Sequence, residues 1–103
     1  MALSQWIPEA DPMILRRVGK TGEELAELGK VCSRITIQGI DGVDPETGVS
    51  NRAALTKEIA DVLAQCKCTI NALSLDNNAI SVRMNSKVAQ MAEWEAMFSP
   101  QSA

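Results

Sequence analysis

Apolar or small residues recur at alternating steps of four and three from Ile14 through Val18, Thr21, Leu25, Leu28 and Cys32 to Ile35. That spacing keeps returning to one face of an α-helix and is incompatible with the two-residue alternation of a strand. It predicts a helix over about 13–38. A second series, Leu55, Ile59, Val62, Cys66, Thr69 or Ile70, and Leu73, predicts another over about 51–75. A third, Ile80, Met84, Val88, Met91, Trp94 and Phe98, carries a helix to about residue 98, where Ser99-Pro100 stops it. Residues 39–49 are rich in Gly, Asp and Pro and read as a loop, after which Ser50 or Asn51 can cap the next helix. Asp76-Asn77-Asn78 is a break, with Asp76 or Asn77 as the cap. Pro8 and Pro12 make 1–12 an irregular lead-in, expected to be anchored by Trp6 and Ile7. The expectation is an all-α protein: one helical domain over 13–98 and a short tail over 99–103.

Composition narrows this further. Aromatic residues make up only 3% of a chain that is 46% apolar, so any core is built of Leu, Ile, Val, Ala and Met, as suits helices. A single domain of 103 residues buries a modest share of its surface, which favours self-association. A net charge of −3 argues against nucleic-acid binding, which needs a basic footprint. No apolar run is long enough to span a membrane, and the start Met1-Ala2-Leu3-Ser4 lacks the pattern of a signal peptide. Three cysteines, Cys32, Cys66 and Cys68, form no zinc spacing and are expected to be reduced packing residues in a cytoplasm. The absence of histidine removes Ser-His-Asp and Cys-His catalysis and His-containing zinc sites.

What remains is acidic. Glu23-Glu24-Leu25-Ala26-Glu27 lies in the first predicted helix and Glu58-Ile59-Ala60-Asp61 in the second. At about 100° per residue, Glu24 and Glu58 each fall about 70° from the middle of the apolar seam of their helix. Glu27 and Asp61 fall about 130° away on the same side. In an antiparallel pair, flanks of the same sense point to the same edge, and a loop of 11 residues favours an antiparallel hairpin. Glu24, Glu27, Glu58 and Asp61 are therefore expected on one edge, with an axial offset of only about 5 Å. Four close carboxylates repel one another, and a divalent cation relieves the conflict. Mg2+, or Mn2+, suits an all-oxygen donor set; zinc does not. The plainer possibility is that these are solvated helix faces of a non-catalytic oligomerisation or adaptor protein.

The pair of motifs, EExxE at Glu23, Glu24 and Glu27 followed by ExxD at Glu58 and Asp61, resembles the MazG-like all-α nucleotide pyrophosphohydrolases. The resemblance covers roughly 13–98. The stretches Gly19–Leu28 and Gly39–Pro45 look like the small phage and prophage members. It implies hydrolysis of a nucleoside triphosphate to the monophosphate and pyrophosphate, in the service of nucleotide-pool house-cleaning. It implies Mg2+ held by Glu24, Glu27, Glu58 and Asp61, with Glu23 as a supporting or base-like carboxylate beside Glu24 and Glu27. It also implies a homodimer or dimer-based tetramer in which helices of two chains complete a four-helix-type bundle. Lys20, Arg83, Asn85 and Lys87 are the candidates for contacts to the substrate. Trp6, Trp94 and Phe98 are candidates for stacking on a base, and Gln38, Asn51 and Arg52 flank the loop where nucleotide contacts or helix caps are expected. The superfamily includes dUTPases, dCTPases and phosphoribosyl-ATP pyrophosphatases, and the residues do not choose among these substrates.

Overall fold

Asp11 starts the first helix. Its Oδ1 accepts from the N–H groups of Met13 (2.8 Å) and Ile14 (3.4 Å), two of the donors that a helix start leaves without intrahelical partners. Pro12, expected in the lead-in, is instead the first helical residue, where its missing N–H costs nothing. In the computed structural model, which describes residues 5–98, helix α1 runs Pro12–Gln38, α2 Asn51–Ala72 and α3 Asn77–Ala96. No strand occurs among the described residues, and no helix there is long and apolar enough to cross a membrane. The predicted stop at Ser99-Pro100 and the tail over 99–103 lie outside the described residues.

The caps resolve the alternatives left by the sequence. Ser50, not Asn51, caps α2, its Oγ accepting from Ala53 N–H at 3.1 Å. Asp76, not Asn77, caps α3, with Oδ1 accepting from Ala79 N–H at 3.0 Å. Helix α2 ends at Ala72, short of the expected 75, because Ser74 turns into the left-handed region (φ 52°). The chain divides after Leu73 into two units, the α1–α2 hairpin and a second unit holding α3, where the apolar pattern suggests a single domain. Helix α3 also ends two residues early, at Ala96, followed by a turn through Met97 and Phe98. Trp94 and Phe98 meet edge to face, ring centroids 5.1 Å apart. Trp6 and Ile7 do not anchor the lead-in, since both side chains are exposed.

The connection between α1 and α2 is an ordered structure of its own. Gly39 (φ 87°) ends α1 by returning its N–H to Ile35 O. Val43 and Ser50 form an isolated antiparallel bridge, and Asp44 Oδ1 accepts from Glu46 N–H at 2.8 Å in a tight turn. Asn51, fully buried, ties both ends together. Its Nδ2 donates to Gly39 O (2.9 Å) and its N–H to Gly42 O (2.8 Å). Arg52 pairs with Asp41 at 3.0 Å, which lowers the Asp41 pKa through that hydrogen bond and the adjacent charge. Asn51 and Arg52 thus serve the loop rather than standing free beside it.

Helices α1 and α2 pack antiparallel. Far from the loop, the Thr21 and Thr69 hydroxyls meet at 2.7 Å, and Thr21 Oγ1 also donates to Arg17 O. The seam is rotated from the one predicted. Ile14, Thr21, Leu28 and Ile35 are partly buried, Thr21 against Thr69 of α2, but the second row of the buried face is Glu24 and Val31. The predicted second row, Val18, Leu25 and Cys32, is exposed. On α2, Leu55, Glu58, Val62 and Thr69 turn inward, while Ile59 is exposed. Both choices of row lie one turn from the shared positions, so periodicity alone does not separate them. Cys66 is half-buried, whereas Cys68 is exposed and is not the packing residue expected. Val31 is the one buried apolar residue among those described.

Candidate metal centre

The rotation of the seam is what builds the site. It carries Glu24 from the flank of α1 into the groove between the helices, and the same rotation carries in Glu58 on α2. Their side chains are only 16% and 14% exposed. Asp61 lies one turn on from Glu58 and is more open. Oxygen atoms of Glu24, Glu58 and Asp61 lie within 4.8 Å of one another, a spacing that one cation can bridge. Glu27 is not in this group. It is half exposed and pairs with Lys30 at 3.8 Å, one turn along the surface of α1. Glu23 is more exposed still.

Two lysines border the carboxylates. Lys20 Nζ reaches Glu23 (3.3 Å) and Glu24 (3.5 Å). Lys57 Nζ reaches Asp61 (2.9 Å) and Glu58 (3.4 Å). Each lysine has its pKa raised, chiefly by the hydrogen bond to Glu23 for Lys20 and to Asp61 for Lys57. Even so, one carboxylate oxygen is left over. Oε2 of Glu58 is buried and has no hydrogen-bond partner. Burying an anionic oxygen without a partner is costly, and a bound cation removes that cost. The donors are oxygens only, which fits Mg2+ or Mn2+.

Around Lys20, the residues Leu15, Arg16, Arg17, Gly19, Lys20 and Glu23 line an open depression of about 560 Å3. Lys20 connects it to Glu24. The sequence reading singles out neither Arg16, Arg17 nor Lys57. For Lys57 a signal exists, because it stands four residues before Asp61 as Lys20 stands four before Glu24. Arg83, Asn85 and Lys87 lie exposed on α3, in the second unit. Met84, Met91 and Met97 are exposed there too.

No protein-family model matches this chain, and neither a curated protein nor a solved structure matches it.

Proposed function

We propose that this protein is a Mg2+-dependent nucleotide pyrophosphohydrolase of the MazG-like type, converting a (d)NTP and water to (d)NMP and pyrophosphate in the cytoplasm. One observation carries the reading: two glutamates from different helices turn into the seam with a third carboxylate beside them, and one buried oxygen lacks a partner. A merely solvated acidic face would leave these side chains outside.

Glu24, Glu58 and Asp61 would hold the cation. When bound, Mg2+ neutralises phosphate oxygens and acidifies a water. Glu27, one turn on from Glu24, is a fourth ligand by resemblance, once it leaves Lys30. Glu23 is exposed beside Glu24 and is suited to take the proton of the attacking water after release from Lys20. Lys20, with Arg16 and Arg17 along the adjacent depression, offers positive charge to the phosphates. Arg83, Asn85 and Lys87 join by resemblance only.

A second copy of the chain belongs to the proposal. Val18, Leu25 and Cys32 form an exposed stripe on α1, interleaved with Gly22 and Gly29, around whose Cβ positions nothing lies within 4 Å. Another hairpin packed there would complete a four-helix bundle, as a dimer or a dimer-based tetramer. The test of the activity is pyrophosphate release over the common NTPs and dNTPs with Mg2+ or Mn2+. Turnover of at least one nucleotide, lost on chelation, is expected. No turnover by folded protein overturns the reading and leaves the adaptor.

A further inference from the structure

We propose that Lys57 is an exchangeable counter-ion of the metal site: it holds Glu58 and Asp61 while the site is free of metal, and moves to the phosphates of the substrate once a cation is bound. The inference rests on the reading of Glu24, Glu58 and Asp61 as metal ligands and extends it to a residue that the motif resemblance does not assign.

Three observations support it. First, Lys57 is engaged with two of the three grouped carboxylates, at 2.9 Å to Asp61 and 3.4 Å to Glu58. Lys57 holds Oε1 of Glu58 and Oδ2 of Asp61, so a cation on the free Oε2 of Glu58 and on Asp61 would stand close to the ammonium, and repulsion between the like charges favours its release. Second, Lys57 is 69% exposed. Exposed ion pairs are weak, so release is cheap. Third, the order is the wrong one for helix stabilisation. A lysine placed four residues before an acid opposes the helix dipole, whereas acid before lysine favours it. Lys57 before Asp61 has the poorer order, and Lys20 before Glu24 repeats it on the other helix. The pair is therefore better explained by where its charge sits than by what it adds to α2.

After displacement, Lys57 remains tethered beside the cation. A mobile ammonium with three donors is well suited to a phosphate chain bridged by that cation. The same residue thus disfavours metal in the absence of substrate and favours substrate in the presence of metal. It would link the two binding steps, keeping the bare carboxylates neutralised until a metal–phosphate complex arrives.

The prediction is a pair of effects with opposite sign. Wild-type protein and Lys57→Met are titrated calorimetrically with Mn2+ alone, then with inorganic triphosphate at saturating Mn2+. Lys57→Met should bind Mn2+ about fivefold tighter, the scale of one exposed ion pair. It should bind Mn2+-triphosphate about tenfold more weakly, the scale of one charge-assisted hydrogen bond. Lys57→Arg should restore triphosphate binding. A plain structural ion pair predicts a change in neither affinity, and a plain counter-ion predicts only the first; either result overturns the exchange. If wild-type protein binds no Mn2+, the metal-site reading itself falls, and the exchange with it. If the wild type binds Mn2+ and Lys57→Met matches it in both titrations, only the exchange falls. Far-ultraviolet circular dichroism confirms that the variant is folded, which its exposed position favours.

Discussion

A glutamate that faces a neighbouring helix is usually destabilising, and this hairpin has two. Their charges are offset by Lys20 and Lys57, but the buried Oε2 of Glu58 is left unpaired. Removing that charge should therefore relieve the metal-free protein and disable the metal-bound one. Glu58→Gln is expected to leave the melting temperature without metal unchanged or higher. It should abolish the rise produced by Mg2+ and cut pyrophosphohydrolase activity by about 100-fold or more, beyond what outer-shell changes typically cost. Glu27→Gln provides the comparison. Because Glu27 sits apart from the group of three, its loss should weaken Mg2+ binding less than the loss of Glu58. Equal losses would show that Glu27 swings in as a full ligand. Thermal melts with and without Mg2+, beside the activity assay, read both. At this scale the sequence reveals which residues matter better than where they point. The motif spacing identifies Glu24, Glu58 and Asp61. Their burial depends on a rotation of about one-eighth of a turn at about 100° per residue, and the chain offers apolar residues on either side of the shared row.

At the scale of elements, the capping residues explain why the helix boundaries are largely legible. Asp11, Ser50 and Asp76 each carry a short side-chain acceptor ahead of a helical pattern, so local chemistry decides. The loop is different. Its Gly, Asp and Pro content marks a loop without revealing that Asn51 is buried against it, because that contact joins residues 12 apart. Gly42 is needed at the same place. A Cβ there would lie 2.9 Å from Gln38 O and 3.1 Å from the Asn51 amide. Asn51→Ala should cost about 1–3 kcal/mol by removing the amide bond to Gly39 O, which keeps only the Gly42 N–H, and by opening a void. Gly42→Ala should cost about 1–3 kcal/mol by overpacking. The two side-chain positions are in contact, so the double variant should lose less than the sum of the singles. Urea unfolding measures all three. Since the loop sets how α1 and α2 meet, both variants should also weaken Mn2+ binding at the seam.

At the scale of the whole molecule, the hairpin is a helix pair with too little interior. Val31 is buried, whereas Val18, Leu25, Ile59 and Leu63 remain exposed. The sequence reading assigns Val18 and Leu25 to the hairpin seam because they follow the same period as the true seam residues. The two interpretations agree that this row is meant for packing and differ on the partner. With Glu24 and Val31 turned toward α2, the Val18–Leu25–Cys32 row is free to meet another hairpin. The glycines between these side chains would let the second backbone approach closely. Apolar stripes of this kind seldom remain open in water, so the wild-type protein should run as a dimer or larger species in light scattering at micromolar concentration. Val18→Asp places an unpaired charge at one end of that contact but outside the α1–α2 seam. It should shift the mass toward the monomer while keeping the helical signal in circular dichroism, because the contacts through Thr21, Leu28 and Val31 are untouched. A monomeric wild-type protein would overturn the oligomer, and a variant with unchanged mass would place the oligomer contact elsewhere. If the mass falls and Mn2+ affinity does not, the three carboxylates of one hairpin suffice to bind the cation. If both fall together, the second hairpin is what holds α1 and α2 at the angle the site requires.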